Sequence, residues 1–351
     1  MNPVVTRREL LAIIAGSASI RTAWTAEVDY ERIDTHNHIH RSAPAIVDAM
    51  QKTGWRGLSI CDSREVGDQV SVLPEMIPGT INFHRESHGR WAWATTFDAR
   101  PFEQPGFADR VIADLKRNFA QEAIAVKIWK NVGMGIRSRS GEYLLPDNPA
   151  LIPIYQAVQN EGKTLISHLG EPDGAWLPLG AGNSENGYLK AHPEWHMLGR
   201  EGAPSKETIL AARDRVIARF PKLRVIGCHL GSNEEDLPRL AKRLDALPNF
   251  VVDVASRVRY LMSGDRDSTR QFLLYYQDRI LYATDFTLGN GDEERAAQQL
   301  LSVHDGEWKF FATDESVQSG SRQVQGLALP APVVRKIFRE NAVRTLPGIL
   351  G

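Results

Sequence analysis

The chain has 351 residues, enough for one large domain or two small ones, and it carries 42 basic and 43 acidic side chains. The formal net charge of −1 gives no overall attraction for nucleic acid or for an anionic membrane surface. Hydrophobic residues make up 42% and charged residues 24%, which is typical of a globular protein with a sizeable core. We therefore expect a small-molecule substrate, no nucleic-acid partner and no membrane span, and a homo-oligomer is compatible with this composition.

The first 26 residues resemble an export signal and are not expected to belong to the fold. Residues 6–11 (TRRELL) precede a short apolar stretch at 12–18 that is too brief to span a bilayer. This pattern resembles a twin-arginine signal, which implies export to the periplasm. No Ala-x-Ala site precedes Glu27, and an uncleaved amphipathic arm on a cytoplasmic protein is the alternative. Residues 27–351 are predicted to form a single domain.

Eight short β-rich runs then alternate with helical patterns. The predicted strands cover residues 33–38, 57–62, 91–98, 124–130, 163–168, 224–229, 249–255 and 279–285. Apolar residues at helical spacing mark 209–220 and 237–247, and a last amphipathic helix is predicted over 332–344. Eight repeats of a strand and a crossover helix predict a (β/α)8 TIM barrel within the α/β class. A doubly wound open sheet is the alternative, but no Gly-x-Gly-x-x-Gly follows the first strand.

Two segments are longer than the usual barrel loop. Residues 170–204, rich in Gly, Pro, Trp and His, follow the fifth strand and predict a large loop insertion beside the substrate pocket. Residues 304–331, which include a Ser- and Gly-rich stretch at 316–321, form the second long segment before the extra C-terminal helix. Cys61 and Cys228 lie in separate apolar runs, so we expect buried free thiols and no disulfide.

Polar residues close several of the predicted strands. Two histidines separated by one residue at the end of strand one project from the same side and can reach one metal ion together. Catalytic residues of a barrel cluster at the C-terminal ends of its strands. The candidates are four histidines and an aspartate at strand ends and a lysine within strand four: His36, His38, His168, His229, Asp285 and Lys127.

This ordered set resembles the amidohydrolase superfamily, in particular its amidohydrolase-related (amidohydrolase 2) branch, over residues 34–285. The resemblance implies that His36, His38 and Asp285 hold a divalent metal ion, with zinc as the first expectation and manganese as the alternative. His168 and His229 would bind a second ion. In a centre with one ion, His168 would instead bind the metal while His229 polarises the substrate.

Lys127 distinguishes a centre with one ion from a centre with two. In members with two ions the lysine of strand four is carboxylated and bridges them, whereas in many relatives of this branch it bridges nothing. Lys130 follows three residues later, and we expect Lys127 to face the centre. One or two ions are both compatible with the sequence.

The resemblance implies a metal-dependent hydrolase acting on an ester, lactone, amide or similar bond. A divalent ion lowers the pKa of bound water, Asp285 would serve as general acid and base, and His229 would stabilise the developing oxyanion. Asp34 shares the strand face of His36 and His38 and is expected to support their orientation. The alternative reaction is nonoxidative decarboxylation, or hydration, of a small aromatic or unsaturated carboxylic acid.

Cationic residues follow several predicted strands and predict an anionic substrate, because guanidinium groups bind carboxylates in pairs of hydrogen bonds. Two residues of the loop insertion are further candidates for substrate binding, with packing inside the loop as the alternative. The substrate-binding candidates are Arg64, Arg100, Lys130, Arg257, Arg259, Glu171 and Trp176.

Overall fold

The computed structural model describes residues 28–351. The predicted export signal, residues 1–26, therefore lies outside the described residues. Eight parallel strands occupy the eight predicted places and confirm the barrel: β1 Arg32–His38, β2 Trp55–Ile60, β3 Trp91–Thr96, β4 Ala125–Ile128, β5 Thr164–Ser167, β6 Arg224–Gly227, β7 Phe250–Asp253 and β8 Ile280–Leu281.

The strands follow one another around the sheet in chain order. The sheet runs from β8 through β1 to a short ninth strand, β9 (Phe286–Thr287), and all neighbouring pairs are parallel. Backbone hydrogen bonds from Thr35 N to Tyr282 O (3.1 Å) and from Asp285 N to His36 O (2.9 Å) join β1 to the chain around β8. This closure brings the residue that follows β8 next to the end of β1.

Helices surround the barrel, and side-chain caps help to define where several of them begin. Asp292 accepts hydrogen bonds from the backbone of Glu294 (3.0 Å) and Arg295 (3.2 Å) at the start of the longest helix. No helix within residues 28–351 is both long and apolar enough to cross a membrane. The helices are α1 Pro44–Lys52, α2 Leu73–Glu86, α3 Phe107–Phe119, α4 Ile152–Asn160, α5 Asn186–Ala191, α6 Lys206–Arg219, α7 Leu237–Ala246, α8 Val258–Ser263, α9 Arg266–Tyr275, α10 Glu293–Ala312, α11 Ala331–Arg335 and α12 Asn341–Thr345, with single turns at Asn131–Met134 and Cys228–Gly231 and a π-helical turn at Lys336–Glu340.

The apolar core has an inner and an outer layer. Branched and small residues of the strands, such as Ile33 and Ile166, fill the barrel, whereas larger residues pack between strands and helices. Ala342, Leu346 and Ile349 join the inner layer, so the predicted C-terminal helix covers the end of the barrel opposite the strand ends. Both cysteines are buried free thiols, as predicted.

The two long segments differ from one another. The insertion after β5 is a loop with short helical pieces at Asp173–Trp176, α5 and Pro193–Trp195, as expected. The prediction of a loop over 304–331 is wrong, because its first residues complete α10 and its Ser- and Gly-rich part forms a hairpin of β10 (Ser316–Ser319) and β11 (Arg322–Gln325). Gly320, at φ 59°, supplies the left-handed turn residue of that hairpin.

Candidate metal centre

His36 and His38 direct the same ring nitrogen towards one carboxylate. Their Nε2 atoms lie 3.4 Å and 3.3 Å from Oδ1 of Asp285. Nitrogen and oxygen atoms of these three side chains all fall within 4.8 Å of one another, and both histidines are buried. The alternation of β1 and the closure of the barrel beside β8 produce this convergence.

The opposite ring nitrogens are held by protein acceptors. Nδ1 of His36 donates to Oδ2 of Asp253 at 3.0 Å, and Nδ1 of His38 donates to the carbonyl of Ile60 at 2.9 Å. With the proton on Nδ1, a neutral ring presents the Nε2 lone pair to the centre. Burial and the nearby Lys127 ammonium keep the pKa of His36 below its ordinary value, so this ring is neutral.

Asp285 occupies a strained position directly after β8. Its φ of 67° lies in the left-handed region, which is costly for a residue with a side chain. The backbone hydrogen bond to His36 O holds the turn, and Oδ2 accepts a hydrogen bond from Ser256 Oγ at 3.0 Å. One bond therefore fixes the backbone of Asp285, and the other fixes one oxygen of its carboxylate.

His168 and His229 form a second imidazole pair. Nδ1 of His229 donates to the carbonyl of Ala255 at 2.8 Å, and burial lowers the pKa of His229 to about 3, so Nε2 is an unprotonated acceptor. His168 Nδ1, 3.2 Å from that atom, must then donate to it. Nε2 of His168 is left as an unprotonated nitrogen that is buried and has no hydrogen-bond partner among residues 28–351.

The turn that carries His229 is also strained. Four successive residues, His229 to Ser232, have φ between 55° and 59°. The backbone N–H of His229 donates to Oδ1 of Asp253 at 2.7 Å, and Ser232 Oγ donates to the carbonyl of Leu169 at 2.8 Å. One carboxylate, that of Asp253, therefore positions both His36 and His229.

Lys127 faces the centre and Lys130 does not, as expected. Lys127 is buried, and its Nζ donates to His36 Nε2 (3.1 Å) and to Cys228 Sγ (3.0 Å). The side chain of Lys130 instead contacts Glu171 and donates to Tyr188 Oη at 2.6 Å.

These residues fit a divalent metal ion. The centre offers two imidazole nitrogens whose rings are fixed by second hydrogen bonds and a carboxylate oxygen, a donor set suited to zinc or manganese. The buried, unpartnered Nε2 of His168 is a further donor of the same kind. A carboxylated Lys127 and the number of ions stay predictions.

A cavity of about 520 Å³ opens at this end of the barrel, here termed the barrel-mouth cavity. Each cation that lines it has a carboxylate partner: Lys130 contacts Glu171, Arg257 lies 3.3 Å from Glu234, and Arg259 lies 2.7 Å from Glu185. The structure therefore brings three of the predicted cations, Lys130, Arg257 and Arg259, to this cavity, each beside a carboxylate. The residues lining the cavity are Lys130, His168, Glu171, Glu185, Tyr188, His229, Ser256, Arg257, Arg259, Asp285 and Glu307.

Three other candidates for substrate binding lie outside the lining of this cavity. Arg64 sits nearby, over the ring of Trp129 and 2.8 Å from Asp62. Arg100 folds back onto Asp98 and the carbonyl of Gly67, in a separate surface depression. Trp176 donates from Nε1 to the carbonyl of Pro204 at 2.9 Å, which is the packing within the loop considered as the alternative.

Asp34 supports the centre through backbone contacts to His36, in line with the prediction, and through further contacts around β8. Its carboxylate accepts from the backbone N–H of Thr284 (3.0 Å), from Thr284 Oγ1 (2.7 Å) and from His304 Nε2 (2.9 Å). Asp34 Oδ1 also accepts from the backbone N–H of His36 at 3.3 Å, so the carboxylate holds the backbone of His36 as well as the residue before Asp285 and contacts neither imidazole ring.

Sequence reasoning missed two kinds of functional residue. Asp62 ends a predicted strand and lies 3.6 Å from His38 Nδ1, so the strand-end rule could have found it, whereas Asp253 ends β7 in the structure but lies inside the longer strand predicted over 249–255. Glu185 and Tyr188 reach the barrel-mouth cavity from the irregular insertion, where no periodic pattern indicates direction.

Comparisons with known proteins agree with this description. The chain matches the family described as Amidohydrolase over residues 33–348. No curated protein matches it at the sequence level. Similar solved structures include an uncharacterized TIM-barrel protein from Bordetella bronchiseptica (TM-score 0.51, 13% identity, 91% of this chain and 99% of that chain) and a putative amidohydrolase from Staphylococcus aureus (TM-score 0.51, 14% identity, 90% and 99%).

A dihydroxybenzoic acid decarboxylase from Polaromonas sp. JS666, solved with manganese and an inhibitor, is also similar, at a TM-score of 0.48 and 14% identity over 90% of this chain and 97% of that chain. At these identities the structural similarities concern the fold. The family match, in contrast, spans nearly all of the described residues and confirms the resemblance carried by the strand-end ligands. This protein belongs to the amidohydrolase family.

Proposed function

We propose that the protein is a metal-dependent hydrolase that cleaves an ester, lactone, amide or similar bond of a small molecule. The observation that carries the proposal is the convergence of His36 Nε2 and His38 Nε2 on Oδ1 of Asp285. These residues, with His168 as a further donor, would hold zinc or manganese. Such an ion, when bound, polarises a carbonyl and makes water reactive near neutral pH.

Asp285 is the residue best placed to move the proton. It lines the barrel-mouth cavity, and Ser256 anchors its Oδ2. A carboxylate held in this way can accept a proton from the attacking water and return it to the leaving group. We therefore assign the general acid and base role to Asp285.

His229 can polarise a substrate only after its hydrogen bonds change. Its Nδ1–H donates a hydrogen bond to the carbonyl of Ala255, and its Nε2 accepts one from His168. The ring therefore directs no N–H group into the cavity. We propose that His229 polarises a substrate once its bond to His168 is broken and Nε2 carries the proton.

Decarboxylation and hydration use a similar centre and are the competing reactions. A carboxylic acid in the barrel-mouth cavity would lie beside Glu171 and Glu185, while each lining cation already has a carboxylate partner. The pairing of these cations leaves a substrate carboxylate without a free positive partner in the lining and disfavours such a substrate. This observation favours hydrolysis.

The proposed reaction can be tested with a survey of substrates on metal-loaded protein. Simple esters, lactones and amides are followed by acid or amine release, and hydroxybenzoic acids by release of carbon dioxide. Hydrolysis that disappears with a chelator and in Asp285→Asn supports the proposal. Carbon dioxide release without hydrolysis of any ester, lactone or amide contradicts it.

A further inference from the structure

Every cation that lines the barrel-mouth cavity is paired with a carboxylate, and Asp285 and Glu307 are further acidic groups of the lining. Lys130 with Glu171 and Arg259 with Glu185 line the cavity as complete pairs, and Arg257 adds a third cation that is 3.3 Å from Glu234 and 4.0 Å from Glu171. Such a lining presents both hydrogen-bond donors and acceptors, and its paired charges largely cancel. It is a surface for a ligand that can both donate and accept.

Of the two paired glutamates in the lining, Glu171 and Glu185, Glu185 has the more accessible carboxylate. Its Oε1 accepts from Arg259 Nη2 at 2.7 Å and from Tyr260 Oη at 2.6 Å. Its Oε2 has no hydrogen-bond partner among residues 28–351, and the side chain lines the cavity. The carboxylate is thus fixed through one oxygen and can accept a ligand hydrogen through the other.

Lys130, Tyr188 and Glu171 form a rigid hydrogen-bonded group in the same lining. The ammonium lies 4.9 Å, 5.0 Å and 4.8 Å from the ring centres of Trp129, Tyr188 and Trp195, and it donates to Tyr188 Oη at 2.6 Å. Three aromatic rings therefore fix the cation through cation–π contacts. Lys130 donates to the phenol oxygen, and the Tyr188 hydroxyl in turn hydrogen-bonds to Glu171, so burial and the Glu171 carboxylate raise the pKa of Tyr188.

Hydroxyl groups satisfy this lining better than the two other common ligand types. A hydroxyl donates to Glu185 and accepts from the neighbouring Arg259 with the same oxygen. A carboxylate only accepts, so it gives no hydrogen to the free oxygen of Glu185, and an apolar group would remove water from charged atoms without replacing its hydrogen bonds.

We propose that the barrel-mouth cavity selects an uncharged acyl substrate with neighbouring hydroxyl groups, such as a sugar lactone or polyol ester, and that Glu185 is a specificity-determining residue for it. The inference rests on the proposed hydrolytic function of the same site. It replaces the anionic substrate expected from the sequence, because the expected cations are paired.

Three lactones test the substrate class directly. Glucono-δ-lactone carries hydroxyls and no charge, δ-valerolactone shares its ring without hydroxyls, and glucarolactone adds a carboxylate. Rates are measured above the uncatalysed reaction with metal-loaded protein. We expect kcat/KM for glucono-δ-lactone to exceed that of each other lactone by at least about tenfold, since sites that bind hydroxyls reject analogues lacking them. Equal or higher values for δ-valerolactone or glucarolactone overturn the inference.

Glu185→Gln separates hydroxyl recognition from anion recognition by the sign of its effect. The amide keeps an oxygen for Arg259 and removes the negative charge. We expect KM for glucono-δ-lactone to rise on the order of tenfold with a smaller change in kcat. An unchanged or lower KM for glucono-δ-lactone in this variant would contradict hydroxyl recognition by Glu185. Glu86→Gln, an exposed substitution on α2, is the matched control and should leave all three lactones unaffected.

A binding experiment keeps this inference separate from the proposed reaction. If none of the lactones, esters and amides is hydrolysed, the proposed function fails, and calorimetric titration of the metal-loaded protein with D-glucitol and with glutarate then tests the substrate class alone. Tighter binding of D-glucitol, weakened in Glu185→Gln, supports the inference. Tighter binding of glutarate, or no binding of D-glucitol, contradicts it.

Discussion

Single hydrogen bonds determine which nitrogen of each histidine is available to a metal ion. Asp253 and the carbonyl of Ile60 take the Nδ1 protons of His36 and His38, which leaves both Nε2 lone pairs directed towards Asp285. Burial alone would raise the pKa of Asp253, but the imidazole of His36 outweighs it and the pKa is lowered, so the carboxylate stays ionised. Asp253 is therefore central to the site although it is not itself required as a ligand.

Asp253→Asn tests this orienting role. The amide keeps the size of the side chain but can turn its NH2 group to His36, which would favour the tautomer with Nε2 protonated. We expect zinc affinity to fall about 10- to 100-fold in competition with a chromophoric chelator. Asp267→Asn, exposed on α9, is the control. Unchanged affinity in Asp253→Asn would show that His36 needs no such partner.

Asp285→Asn tests the proton-transfer role. The amide cannot accept a proton, so we expect kcat to fall by roughly 10²- to 10⁴-fold while circular dichroism shows an intact fold. Turnover close to that of the unchanged protein would remove Asp285 from the mechanism.

At the scale of secondary-structure elements, the sequence predicts the strands and helices whose apolar residues recur at regular spacing. All eight strands and the strand-end ligands follow from apolar runs closed by polar residues, and α6, α7 and the C-terminal helix follow from helical spacing. The hairpin of β10 and β11 and the contribution of Glu185 do not follow, because tertiary contacts decide how irregular segments fold. The left-handed backbone of His229 and Asp285 is likewise invisible in the sequence, since neither is glycine.

Helix α10 gives a stability prediction that depends on pH. Glu307 accepts a hydrogen bond from Tyr282 Oη at 2.9 Å, and burial raises its pKa from 4.5 to about 8. A raised pKa in the folded state means that the folded chain binds the proton more tightly. The contribution of protonated Glu307 to the free energy of unfolding is therefore complete below about pH 4.5, and it is lost as the pH rises through about 8.

Glu307→Gln should therefore lose less stability than the unchanged protein over this range. Urea unfolding followed by circular dichroism at several pH values measures the free energy of unfolding of both proteins. Parallel pH profiles for the two would contradict the raised pKa of Glu307.

At the scale of the whole molecule, the two ends of the barrel have different roles: one is packed and closed, and the other carries the candidate metal centre. The C-terminal helix covers one end, and the metal-directed residues and the loop insertion occupy the other.

We propose that the folded barrel is exported, because residues 1–26 resemble a twin-arginine signal and that route carries folded proteins. Changing Arg7 and Arg8 to Lys should retain the protein in the cytoplasm, as measured by cell fractionation. Periplasmic protein in unchanged amount would contradict the signal assignment.

The central claim is that this end of the barrel binds a metal ion on which activity depends. The most direct test is elemental analysis of the purified protein, combined with assays before and after treatment with a chelator. We expect one or two equivalents of zinc or manganese per chain, loss of hydrolysis on removal and recovery on re-addition. Full activity in protein with no divalent metal would contradict the account.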